Sequence, residues 1–182
     1  GGFGDARISI RGFAQENIAV LINGVPVNDM ENSRVYWSNW AGLSDVTTAM
    51  QVQRGLGSSK LAISSVGGTI NIITKTTDLE EGGSIVSSVG NDGYFKNLAS
   101  YNTGKNENGF AASFLISRTA GNGYVDGTQF EGFNYFVGLG WDKGDHNFQF
   151  MLTGAPQTHN QRTTSFFNMA DIGDYLKYGK KY

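Results

Sequence analysis

Two patterns of apolar and polar positions divide the chain. In its first part the apolar residues come in short bursts. Ala6-Arg7-Ile8-Ser9-Ile10-Arg11 alternates as a half-buried strand does, and Gly12 ends it. Residues 17–22 form a second run, followed by Asn23-Gly24, the preferred type I′ hairpin pair, and Val25-Pro26-Val27. Pro26 has no amide donor, which limits the returning strand to an edge or a short pairing. Ser44-Asp45 caps a short helical turn over 46–49, and residues 50–54 and 69–74 supply two more strands. Short strands with a few helical turns predict a small α+β domain.

After Lys75 the pattern changes. Thr76-Thr77-Asp78-Leu79-Glu80-Glu81-Gly82-Gly83 reads as a hinge, and alternating segments then follow at 84–90, 94–101, 110–118, 133–141 and 146–154. In the fourth, Phe133, Tyr135, Val137, Leu139 and Trp141 share one face against Asn134, Gly138 and Gly140. In the fifth, Phe148, Phe150 and Leu152 oppose Asn147, Gln149 and Thr153. Such faces fit a membrane barrel with lipid outside and a polar lumen, and equally a sandwich with one wet face. The connections favour the barrel. Asp142-Lys143-Gly144-Asp145 is tight, whereas 119–132 and everything after Ala155 are long, as in porin-like proteins whose short turns face the periplasm. Tyr94, Tyr135 and Trp141 are then girdle candidates. The expected division is 1–78 and 79–182.

Between the two parts lies a glycine-rich stretch, Val52 to Lys75. Gly55, Gly57, Ser58, Ser59 and Lys60 imitate a phosphate loop. The spacing does not fit, because a Walker A loop places four residues between its glycine and a Gly-Lys pair, and Lys60 follows a serine. The dinucleotide fingerprint fails at the same lysine. The order of elements instead resembles the plug domains of TonB-dependent outer-membrane receptors. Those carry an I-R-G-F element, a strand ending in D-G-x-P, then E-V-x-R-G and, after a variable loop, G-G-x-I-N-I-x-T-K. Here stand Ile10-Arg11-Gly12-Phe13, Asn23-Gly24-Val25-Pro26, Gln51-Val52-Gln53-Arg54-Gly55 and Gly67-Gly68-Thr69-Ile70-Asn71-Ile72-Ile73-Thr74-Lys75. Asn23 replaces the usual Asp and keeps the turn chemistry. Gln51 replaces the usual acid, and Lys60-Leu61 stands where a Tyr-Gly pair is common.

The resemblance implies an α+β plug followed by antiparallel transmembrane strands, part of a plugged barrel of about 22 strands. It implies that Arg11 and Arg54 latch the plug to glutamates of the barrel wall, bidentate bonding that a guanidinium suits. The plain alternative is a pair of surface salt bridges worth about 0–1 kcal/mol each. It places Gln15 and Glu16 on one substrate-facing plug apex and Asn32, Arg34, Tyr36 and Trp37 on another. The alternative there is that Tyr36, Trp37 and Trp40 pack the plug against the wall. Implied partners are TonB with its inner-membrane energising complex, a small-molecule or oligosaccharide ligand, outer-membrane lipid and a surface lipoprotein. The implied task is uptake of a scarce solute (a siderophore chelate, a cobalamin or an oligosaccharide) across the bacterial outer membrane.

Gly1-Gly2-Phe3-Gly4 has neither the charged nor the apolar region of a signal peptide. The expectation is therefore a fragment whose signal peptide and TonB-binding segment lie upstream. About five strands cannot close a barrel and leave unpaired edges costly in lipid. Expressed as it stands, the chain is expected to aggregate or need detergent. The phrase Gly154-Ala155-Pro156-Gln157-Thr158-His159-Asn160-Gln161-Arg162 and the preceding Gly-x-Gly-Tyr and Asp-Gly-Thr resemble Bacteroidota-type receptors.

Composition bounds the remaining options. There is no cysteine, hence no disulfide and no thiolate site. A net charge of −2 argues against a nucleic-acid surface. No run of about 18 apolar residues offers a helical span, which leaves barrels untouched. Asn122, Asp126, Gly127 and Glu131 hint at a calcium loop, but Tyr124 occupies a ligand position and the acid comes early. His146 and His159 lack partners at ligand spacing. No nucleophile–base pair is visible, so neither an enzyme nor a resident cofactor or metal is expected. The competing class is a soluble β-rich glycan-binding or interaction module, which does not explain the order of the glycine motifs.

Overall fold

The computed structural model describes residues 7–40, 42–55 and 66–160. Their helical content is four 3₁₀ turns, Gln15–Asn17, Trp37–Trp40, Leu43–Val46 and Thr76–Asp78. The expected turn over 46–49 lies three residues earlier, at Leu43–Val46. Gly42, at φ 82°, opens it, and Ala49 is already paired with Ile73.

Strands β1 (Ser9–Ile10) and β2 (Phe13–Ala14) make a minimal hairpin. It is shorter than the alternation promises, because Arg11 and Gly12 both take positive φ (53° and 83°) and reverse the chain. Next come β3 (Ile18–Ile22), β4 (Val25–Pro26), β5 (Ala49–Arg54) and β6 (Gly68–Ile73), in a four-stranded sheet ordered β4-β3-β6-β5. Every residue of β3 is buried. Its uninterrupted I-A-V-L-I is what a central strand paired in parallel requires, and its neighbour β6 runs parallel to it. Asn23 (φ 50°) and Gly24 (φ 82°) form the I′ corner, and Pro26 sits on the outermost strand.

The glycine pair before β6 is needed for close approach. A Cβ on Gly67 would lie 2.7 Å from that of Phe13, and one on Gly68 (φ 137°) would lie 2.5 Å from the Gln53 carbonyl oxygen. Lys60 and its neighbours lie outside the described residues.

The second sheet is a meander: β7 (Gly82–Val89), β8 (Phe95–Asn102), β9 (Phe110–Gly121), β10 (Phe130–Lys143) and β11 (His146–Gly154), with β12 (Gln157–His159) added to β10. Pairing extends β9 and β10 beyond the expected limits, so the long connection shrinks to 122–129. The 142–145 turn is confirmed as tight, with Lys143 opposite His146 and Gly144 at φ 61°.

Register defines two faces. Leu98, Leu115 and Phe136 (5%, 2% and 3% exposed) look inward, whereas Phe110, Phe114, Ile116, Phe133, Leu139, Phe148 and Phe150 are exposed. The inner three join Ile18, Val20, Ile22, Val35, Leu43, Val46, Ile70 and Ile72 in one hydrophobic cluster. The small sheet thus packs against one face of the larger sheet, the wall, which turns its apolar rows away from it.

Candidate functional site

The 28–40 loop is polar yet well fixed. Asn28 accepts from the Val20 amide (2.7 Å) and donates to the carbonyls of Ile18 and Ser33 (both 2.9 Å), which ties the loop to β3. Asp29 Oδ1 caps the next turn, taking the amides of Glu31 (2.9 Å) and Asn32 (3.0 Å). Six of the expected site residues meet here or nearby. Arg34 Nε donates to Glu16 Oε1 at 2.7 Å, so a half-exposed ion pair joins the two apices. Asn32 Nδ2 donates to the Tyr36 hydroxyl at 2.8 Å. The Glu16 carboxyl is held below the ordinary carboxylate range, first by a backbone N–H bond and then by Arg34.

The aromatic residues divide. Tyr36 is 41% exposed, while Trp37 and Trp40 pack against the common cluster. Tyr36 therefore offers a surface and the tryptophans mainly hold the loop. Gln15 Oε1 and Trp37 Nε1 are buried without a hydrogen-bond partner among the described residues.

Arg11 and Arg54 are exposed and form no ion pair among the described residues. Arg11 projects from the β1–β2 turn, and Arg54 ends β5 opposite Gly68. Strand β5 is an edge, exposed along its whole length.

The plug–wall seam was missed by sequence reasoning. Asn23 Nδ2 donates to Thr74 Oγ1 and Asn23 Oδ1 accepts from the Thr74 amide, both at 2.8 Å. Thr74 Oγ1 also reaches Met151 Sδ of the wall at 3.5 Å. Gln149 Nε2 donates to Thr77 Oγ1 at 3.2 Å. The 3₁₀ turn Thr76–Asp78 lies in a trough of β10 made by two glycines. A Cβ on Gly138 would overlap Thr76 Oγ1, and one on Gly140 would stand 2.6 Å from Thr77 Cγ2. Lys96 of the wall bonds Asp45 of the plug at 3.0 Å. Next to the seam, Lys75 Nζ donates to Asp78 Oδ1 (2.8 Å), and this bond holds the ammonium above its usual range. The available signal was Gly138-x-Gly140 at inward positions, since strand glycines mark close backbone approach.

At the calcium decoy, Glu131 is committed to Arg118 (2.6 Å). No group of three potential metal ligands occurs among the described residues.

A small mixed sheet seated on the inner face of an unclosed antiparallel wall, with that wall's outer face apolar, is the architecture of a plugged barrel. Comparison with known proteins agrees. Residues 1–69 match the TonB-dependent Receptor Plug Domain. The chain is 32% identical over 88 residues to a probable TonB-dependent siderophore receptor PirA of Acinetobacter baumannii, and 31% identical over 88 residues to a ferric enterobactin receptor of Pseudomonas aeruginosa. Each match takes in 43% of the chain but 12% of the relative. Among solved structures, the FrpB iron transporter of Neisseria meningitidis superposes with TM-score 0.61 at 19% identity, covering 89% of this chain and 28% of that one. The siderophore receptor PiuA of A. baumannii gives 0.55 at 20%, covering 78% and 19%. The sequence of residues 1–69 is thus similar to a TonB-dependent receptor plug domain, and the described residues share the fold of such a plug with the strands around it.

Proposed function

We propose that this chain is a plug with adjoining wall strands of an outer-membrane receptor that takes up a scarce solute by TonB coupling. The observation that supports it best is the hydrophobic cluster common to plug and wall, with the matched plug domain in front of it. The division at residues 78/79 belongs to the proposal. The soluble glycan-binding alternative gains no support.

The relatives favour a ferric siderophore over a cobalamin or an oligosaccharide, because two of them are named as siderophore and ferric enterobactin receptors. The apex agrees in chemistry, with an arginine and an exposed tyrosine on a fixed polar loop suited to an anionic, aromatic-rich chelate. A Bacteroidota-like origin rests on the phrase around His159, whose last residues lie outside the described range. TonB, its energising complex and a surface lipoprotein enter as partners of the whole receptor. Arg11 and Arg54 are proposed as latch residues facing wall carboxylates in strands beyond those described.

The test is uptake of labelled ferric chelate by cells carrying the whole receptor. Tyr36→Ala and Arg34→Gln are expected to raise the apparent Kd, by about tenfold for the lost charge-assisted bond, at normal surface levels. Unchanged binding by both variants refutes the apex assignment. Uptake that persists after dissipation of the proton gradient refutes energy coupling.

A further inference from the structure

The outer face of the wall carries a feature that neither the plug nor uptake uses. Register aligns Ile85, Ala99, Ile116 and Tyr135 in one outward row, and Ser87, Asn97, Arg118 and Phe133 in the next. Ala99, Asn97 and Ser87 are short where their neighbours are long. They leave a groove of about 560 Å³ floored by β8 and walled by Ile85, Ile116 and Tyr135. On the same face, Phe95 stands beyond its Arg118 end and Tyr101 beyond the other.

The groove is apolar except at one end. There the Arg118 guanidinium lies 5.3 Å from the Phe95 ring centre and 5.6 Å from that of Phe133. Its Nε (2.7 Å) and Nη2 (2.6 Å) both donate to Glu131 Oε1. Nη1 takes no part in these bonds, and the side chain is 51% exposed. A pair this exposed holds its partner weakly, so the guanidinium is free to share a second oxyanion.

Depth fixes the orientation. At the opposite end of the strands, Trp141 lies 5.7 Å from Phe148 and 6.0 Å from Phe110, an aromatic girdle beside the tight turn. Eight residues separate Phe110 from Arg118, about 26 Å along a strand at roughly 3.3 Å per residue. At a barrel strand's tilt that is about 20 Å of depth, close to the height of an apolar band. Arg118 thus stands at the interface away from the 144–145 turn, beside the 90–94 and 122–129 connections, with the groove running from it into the band.

We propose that this groove binds a phosphorylated acyl lipid of the outer leaflet, its phosphate on Arg118 and one acyl chain along Ala99 between Ile85 and Ile116. The site rests on the membrane reading above. A guanidinium set between two aromatic rings, with its Nη1 outside the Glu131 bonds, presents donors suited to a phosphate, and the alanine supplies the missing volume for a chain.

The experiment uses the whole receptor, extracted from outer membranes in mild detergent, with retained lipid A counted by native mass spectrometry. Wild type is expected to retain phosphorylated lipid A. Arg118→Gln should retain about tenfold less, the loss of one charge-assisted bond, and Ala99→Phe, which fills the groove from the lipid side, should retain as little. Competition by diacylglycerol, which lacks the phosphate, should fail. Equal retention in wild type and both variants, or equal competition by diacylglycerol, overturns the proposal. Absence of wild-type receptor from the outer-membrane fraction refutes the membrane reading instead, whereas a correctly fractionated receptor without bound lipid A refutes the groove alone.

Discussion

Replacing Asn23 probes the seam at a point where three effects separate. The residue holds φ 50° at the β3–β4 corner and makes two 2.8 Å bonds with Thr74, one as donor and one as acceptor. Each bond is worth about 0.5–1 kcal/mol at an exposed side chain, and a non-glycine residue without a helpful polar group costs about 1 kcal/mol at such a φ. Asn23→Ala loses both bonds and incurs the backbone cost, about 2–3 kcal/mol in all. Asn23→Gly loses the bonds but relieves the backbone, leaving about 1–2 kcal/mol. Asn23→Asp keeps the acceptor for the Thr74 amide and forfeits the donor, at under about 1 kcal/mol. Hydrogen exchange in the whole receptor reads this directly, since the Thr74 amide donates to Asn23 and the Asn23 amide donates to Ile72 at 2.8 Å. Protection over 68–75 should fall about 30- to 150-fold in Ala, about 5- to 30-fold in Gly and less than about fivefold in Asp, at 1.4 kcal/mol per decade. Alanine as well protected as aspartate, or better than glycine, refutes the account.

Gly140→Val drives a side chain into Thr77, 2.6 Å from the site of its Cβ, and should cost about 1–3 kcal/mol of plug docking. Protease cutting of the plug in intact outer membranes should rise, and unchanged cutting contradicts the trough. Leu115→Ala removes a 2%-exposed side chain from the cluster common to plug and wall, at about 2–5 kcal/mol. Its signature is joint loss of plug protection and of barrel heat stability, and loss of only one shows that the two do not share a core. The Glu16 carboxyl, lowered below its unfolded value, contributes stability above the ordinary carboxylate range that is lost as pH falls through the lower folded value. Tryptophan emission from the 37–40 turn should follow that acid step. Arg34→Gln should move its midpoint up only partly, because the backbone N–H is the larger cause, and an unmoved midpoint refutes the ion pair.

What the sequence shows well is whatever local chemistry enforces. The Asn23-Gly24 corner, the edge position of Pro26 and the alternating faces of β10 and β11 follow from turn and pleat rules, and the structure has them. The expected segment 6–11 came out short because the Arg11-Gly12 reversal cuts off the pattern that surrounds it. The parallel pairing of β3 with β6 joins residues some fifty positions apart, and no local rule announces it. The all-apolar run of β3 was its one trace.

The seam illustrates why contacts between parts are harder to read than the parts. Thr76 and Thr77 look like hinge residues, and Gly138 and Gly140 look like the small side of a barrel strand. Neither reading names the other, and the structure buries both threonines in a docked turn. Only the register of β10, which sets both glycines inward, brings them under the two threonines. The same register sends Trp141 and Leu139 outward, so one strand carries the docking trough on one side and the lipid-facing row on the other. A one-residue slip would exchange the two faces along the whole strand. The glycines therefore constrain β10 twice, and substituting them is expected to disturb the plug before it disturbs the wall.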